Sequence, residues 1–149
     1  MSNLAAGDAQ LFEDTFTVTK RDQSKYDRVA RINCTSTDNQ TTMCLDVNSE
    51  LFPVREGVNI EVLLATSLSL DGVKDEEDEK GWRHVRGEST LADMYDYVCH
   101  GKIYKFEDGA DGQTIRAYVS FGGLLMQLEG PYKKLTPLRV ENTYLLIKK

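Results

Sequence analysis

Tyr26 to Glu50 reads YDRVARINCTSTDNQTTMCLDVNSE, two runs of alternating apolar and polar residues parted by turn formers. Side chains of a strand point alternately to its two faces, so alternation of this kind marks a strand with one buried side. Asp38 and Asn39 stand between the runs, and both favour turns because their side chains bond nearby backbone groups. With those two residues as the loop, paired positions sum to 77, so Ala30 faces Val47, Ile32 faces Leu45 and Cys34 faces Met43. All six fall on one face, as the wall of a barrel requires. The same register sets Cys44 beside Asn33 on the opposite face, so Cys34 and Cys44 are not expected to bond.

Working outward, further strands appear on both sides of this hairpin. Leu11 to Lys20 places Phe12, Phe16 and Val18 on one parity, and Val58 to Leu68 is apolar enough for a strand buried on both faces. Met94 to Glu107 carries Tyr95, Tyr97, Cys99 and Ile103 on one parity, with Val98, Tyr104 and Phe106 on the other. Thr114 to Phe121 alternates strictly, Gly122 and Gly123 break the run, Leu124 to Glu129 resumes it, and Asn142 to Ile147 is the last strand. Ser89 to Met94 is the one stretch that suits a helical turn. About eight strands joined by short turns, without long helices, predict an all-β antiparallel barrel or sandwich. Residues 1–149 read as a single domain, with a flexible tail at 1–10 and a long mobile acidic loop at 71–88.

Composition narrows the function. The chain has 149 residues, 40% hydrophobic and 28% charged, which suits a soluble globular protein. Asp71 to Lys80 (DGVKDEEDEK) sets six acids against two lysines, a net of −4, leaving only −2 of the total −6 for the rest. Its carboxylates are contiguous and lack the alternate spacing of a calcium loop, so no metal site is expected. Neither a secretory leader nor an apolar run of ~18 residues is evident, so a membrane partner is not expected. Three cysteines, odd in number and widely spaced, fit free thiols in a reducing compartment. His84 and His100 have no motif-spaced nucleophile or ligand beside them, and no catalytic or phosphate-binding motif occurs, so no catalytic residue, cofactor or small-molecule substrate is expected.

Two sets of residues carry binding potential. Lys20, Arg21, Lys25, Arg28 and Arg31, set against Asp22 and Asp27, give a local charge of +3 around Tyr26. A basic edge with an aromatic ring is a candidate contact for single-stranded nucleic acid, weak and non-specific, through phosphate attraction and base stacking. An ordinary loop and exposed strand face account for the same residues. The tyrosines at 95, 97, 104 and 118 are candidates for either the core or an interface, because tyrosine combines apolar area with a polar tip.

Several blocks of the chain resemble the small β-barrel subunit shared by the eukaryotic nuclear RNA polymerases I, II and III. They are Leu11-Phe-Glu-Asp14, Leu45-Asp-Val47, Glu50-Leu-Phe-Pro-Val54, Ala65-Thr-Ser-Leu68, Leu91-Ala-Asp-Met-Tyr-Asp-Tyr-Val98, Gly101-Lys-Ile-Tyr-Lys-Phe-Glu107, Ser120-Phe-Gly-Gly-Leu-Leu-Met-Gln-Leu-Glu-Gly130 and Tyr144-Leu-Leu-Ile-Lys-Lys149. The Ser-Phe-Gly-Gly-Leu-Leu-Met block is the most specific. The resemblance implies an eight-stranded antiparallel barrel related to the oligonucleotide-binding (OB) fold. It implies a non-catalytic common subunit of DNA-directed RNA polymerase, in the nucleus including the nucleolus. Such a subunit docks on the largest subunit, among the other polymerase subunits, and supports assembly and transcription. Tyr95, Tyr97, Tyr104, Phe121, Gly122, Gly123, Leu124 and Leu125 are the expected interface. The alternative is a free-standing OB-fold protein that binds single strands, against which the net acidic charge weighs.

Overall fold

The computed structural model describes residues 10–23, 28–68, 91–109 and 111–149, apart from the side chain of Leu91. The acidic loop expected at 71–88, residues 1–9 of the expected tail, and Lys25 and Tyr26 lie outside the described residues. The strands are β1 (Gln10–Asp22), β2 (Val29–Ser36), β3 (Thr42–Asn48), β4 (Asn59–Ala65), β5 (Tyr97–Asp108), β6 (Thr114–Phe121), β7 (Leu124–Pro131) and β8 (Asn142–Lys148). A 3-10 turn at Leu91–Met94 and a short helix α1 (Tyr132–Leu135) complete the described secondary structure. Gln10, assigned to the tail from sequence, opens β1.

The β2–β3 hairpin forms in the expected register, with Ala30 opposite Val47, Ile32 opposite Leu45 and Cys34 opposite Met43. All six side chains are buried, at 0–2% exposure, so each large one stabilises the fold by roughly 1.5–3 kcal/mol over an exposed position. The turn is longer than expected. The Ser36 N–H donates to the Thr41 carbonyl at 2.8 Å, leaving four residues, 37–40, in the loop. A two-residue and a four-residue loop centred on the same point give the same pairing sum, so the register is unaffected. Ser36 drives the longer loop, because its hydroxyl oxygen accepts the Thr41 N–H at 3.0 Å and the hydroxyl donates to Asp38 Oδ1 at 2.6 Å.

The strands close into one antiparallel barrel in the order β1-β2-β3-β7-β6-β5-β8-β4, the architecture that the resemblance implies. Closure depends on two long strands that change neighbours along their length. β1 pairs with β4 through its first half and with β2 through its second, with an irregularity between Val18 and Lys20. β5 pairs with β8 through Lys102 and then with β6, with an irregularity between Ile103 and Lys105. An extra residue bends a strand and sharpens its twist, which lets each long strand wrap a corner of the barrel. The irregularity in β5 also inverts its parity. Ile103 is fully buried, Tyr104 is 45% exposed, and Phe106, expected on the face opposite Ile103, packs against the same core.

Side chains fill the interior. Phe52, 1% exposed, closes one end against Tyr97 with ring centroids 5.2 Å apart, and Leu135 and Leu138 close the other. A second, smaller cluster lies outside the barrel wall, where Leu63, Ala65 and Leu146 are buried beneath Leu68, Tyr95, Val98 and Tyr144. That explains why β4 reads as apolar on both parities. It also separates Tyr95 from Tyr97, which the alternation had placed on one side: Tyr95 belongs to the outer cluster and Tyr97 to the barrel core.

Candidate docking face

The register of β2, β3, β7, β6 and β5 sets their outward side chains in transverse rows. The row nearest the Gly122-Gly123 turn runs Arg31, Asp46, Leu125, Ser120 and Lys102. The next runs Asn33, Cys44, Gln127, Tyr118 and Lys105, and the third Thr35, Thr42, Glu129, Arg116 and Glu107. At the centre lie Leu125, 43% exposed, and Tyr118, whose ring centroid is 6.3 Å from that of the exposed Tyr104.

Charged groups frame this apolar centre on two sides. On one, Asp46 takes the Arg31 guanidinium in a fork at 2.7 and 3.2 Å and also accepts the Leu125 backbone N–H at 3.1 Å. The β3–β7 ladder ends at Leu45 and Met126, so the Asp46 side chain replaces a backbone acceptor where the two strands part. On the other side, Glu107 receives Lys105 at 3.0 Å, the Tyr118 hydroxyl at 2.8 Å and Arg116 at 3.0 Å. The Lys105 hydrogen bond, followed by that of Tyr118, holds the Glu107 carboxyl below the usual range, so it stays ionised. Arg116 Nε lies 3.5 Å from Glu129 but makes no hydrogen bond to it. Aromatic and aliphatic side chains inside a charged rim are the arrangement of a protein–protein contact surface.

The eight residues expected at the interface divide by position. Tyr104 and Leu125 lie on this face, and Gly122 and Gly123 form its tip, with φ of 65° and 100°. Those angles are the left-handed pair of a two-residue hairpin turn, whose twist matches the strands it joins. Phe121 and Leu124, which flank the turn, point into the barrel instead. Tyr97 is 5% exposed, and its hydroxyl oxygen accepts the Asn48 N–H at 3.0 Å beyond the point where β3 leaves β7. Tyr95 lies on the separate outer cluster, under the Lys148 ammonium at 5.4 Å.

The basic edge is dispersed among other partners. Arg28 pairs with Glu50 at 3.3 Å, Arg31 with Asp46, and the Arg21 guanidinium donates to Gln23 at 2.6 Å, while Lys20 is exposed. The sequence offers Arg31 as a candidate nucleic-acid contact, and its number and that of Asp46 satisfy the same pairing sum of 77. Opposite charges directly across a hairpin were the available signal. Among the described residues, no group of three or more His, Cys, Asp or Glu could hold a metal ion. Cys34, Cys44 and Cys99 are free, and burial pushes the Cys34 thiol up to about 12.

The sequence profile of the family described as RNA polymerase Rpb8 matches residues 13–149, a span that takes in all of β2 to β8 and most of β1. The chain belongs to the Rpb8 family. Its relatives within and around that family cover it almost end to end. The Saccharomyces cerevisiae DNA-directed RNA polymerases I, II, and III subunit RPABC3 is 44% identical over 143 residues, which is 93% of this chain and 97% of that one. A Caenorhabditis elegans protein named as the probable subunit RPABC3 is 38% identical over 93% of this chain and 95% of its own. The Arabidopsis thaliana DNA-directed RNA polymerases II, IV and V subunit 8B is 38% identical over 92% and 93%. For this Rpb8-family chain the matched length includes every residue of the three rows, so the face is part of the shared barrel and not of an appended segment.

Proposed function

We propose that this chain is a non-catalytic subunit common to the nuclear DNA-directed RNA polymerases I, II and III. In this reading it docks on the largest subunit through the outer face of β7, β6 and β5, centred on Leu125, Tyr118 and Tyr104. Its contribution is binding surface that supports assembly and transcription, and its location is the nucleus, including the nucleolus. The observation that carries the assignment is the 44% identity, across nearly both full lengths, to a protein named as subunit of all three enzymes. The face itself is supported by its apolar centre and fixed charged rim, since an uncovered apolar patch is costly to a free monomer. Affinity purification of the tagged wild-type chain from its source cells tests the assignment. The largest subunits of the three polymerases should co-elute in stoichiometric amounts; a chain that purifies alone overturns it.

A further inference from the structure

At the barrel end that carries the Gly122-Gly123 turn, and apart from the face described above, lies a cleft of about 820 Å³. Its cations are Arg21 from the end of β1, Arg55 from the β3–β4 connection and Lys149 after β8; Pro53, Val54 and Val58 give it an aliphatic lining. The connection is fastened on both sides. Val18 exchanges backbone hydrogen bonds with Val58 and Gly57 at 2.9 and 2.7 Å, and Lys149 Nζ donates to the Pro53 carbonyl at 2.6 Å. Glu56, the one acid of the lining, accepts the Arg21 backbone N–H at 3.0 Å. Among the described residues none of the three cations takes part in an ion pair, unlike Arg28, Arg31, Arg116 and Lys134. A cationic cleft on a chain of net charge −6 is a local exception that long-range charge does not explain.

The lining decides between two anionic ligands. Single-stranded nucleic acid needs exposed rings on which its bases stack. Among the described residues the aromatic side chain beside the cleft, Phe52, is 1% exposed and lies beneath the Lys149 ammonium, 5.3 Å from it. An aliphatic floor between cations instead fits an extended polypeptide whose carboxylates flank an aliphatic side chain. We propose that this cleft binds an acidic peptide segment of a protein partner, with an aliphatic side chain on Pro53 and Val58 and carboxylates on Arg21, Arg55 and Lys149. The site is independent of the face proposed to dock on the polymerase.

Fluorescence anisotropy of a fluorescein-labelled Asp-Glu-Leu-Asp-Glu peptide against the full chain in about 0.1–0.15 M salt tests this. Arg55→Glu should weaken binding about tenfold, and Arg55→Ala about threefold in the same direction, because reversal adds repulsion to the lost attraction. Arg28→Glu, at the same end but outside the cleft, should change it by less than about twofold, given screening over roughly 8–10 Å. Exchanging the peptide's leucine for glycine should weaken it by about threefold, the effect of a partly buried aliphatic side chain. Arg55 is exposed, and an unchanged melting temperature establishes that the variants are folded. The proposal is overturned if Arg55→Glu and Arg28→Glu act alike, if the glycine peptide binds equally well, or if oligothymidylate of equal charge binds more tightly than the peptide.

Discussion

Gly101 and Gly122 are glycines for different reasons. A Cβ on Gly101 would collide with the Ser120 carbonyl oxygen and lie 2.6 Å from the Phe121 ring, so β5 needs bare backbone there. Gly122 has open space around it but a φ of 65°, which asparagine also adopts without much strain. Gly101→Ala should therefore cost about 1–3 kcal/mol as an overpacked site, and Gly122→Asn less than about 1 kcal/mol. Urea denaturation checks the order, and equal losses would contradict it. The Gly122-Gly123 break was legible in the sequence because two successive glycines interrupt strict alternation. The need at Gly101 was not, because it arises from Phe121, which is distant in sequence and reaches β5 only once β6 has paired with it. Arg31 differs: the hairpin register read from the sequence already sets Asp46 opposite it, so the carboxylate that occupies this cation was legible there.

At the scale of elements, alternation gave eight strands close to their observed bounds and failed where a strand carries an extra residue. Nothing in the sequence of Met94 to Glu107 announces the bulge near Tyr104, and one extra residue exchanges the faces of all that follows. Asp46 is the corresponding device between β3 and β7. Asp46→Ala leaves the half-buried Leu125 N–H without its acceptor and removes the carboxylate that forks with Arg31, so it should destabilise by about 1–3 kcal/mol. Hydrogen exchange at the Leu125 amide should accelerate beyond that of Met126, and unchanged protection would show that Asp46 does not hold the seam. At the opposite end, Lys134 of α1 joins Asp14 at 3.1 Å and Asp38 at 2.6 Å, fastening the helix to β1 and the β2–β3 turn. The Lys134 hydrogen bond, followed by those of Ser36 and the Gln40 N–H, holds the Asp38 carboxyl well below its usual 3.8. A depressed folded-state value means that the contribution is present above 3.8 and is lost as pH falls below it. The melting temperature of the wild type should fall more steeply between about pH 4 and pH 2 than that of Asp38→Asn, because only the wild type has this carboxylate to protonate. Parallel curves would contradict the assignment.

The whole molecule has one interior and more bulky apolar residues than that interior holds. The sequence showed the surplus, in the aromatic residues on both parities around 95–106 and in the leucines after the double glycine, but not which of them face outward. Closure sorts them: Tyr97, Phe106, Phe121 and Leu124 pack against the core, Tyr95 joins the outer cluster, and Tyr104 and Leu125 remain on the face with Tyr118. Gly123 is a poor probe of that face, since any larger residue at its φ of 100° strains the turn itself. Leu125 and Tyr104 are better, because both are already exposed and their replacement leaves the barrel core intact. The most direct measurement is therefore the amount of largest polymerase subunit that co-purifies with a tagged Leu125→Asp, Tyr104→Asp chain whose fold is verified by circular dichroism. A carboxylate buried without a partner at each position should reduce co-purification at least about tenfold relative to the wild type. A folded double variant that still brings down the largest subunit at wild-type stoichiometry would contradict the proposed docking face.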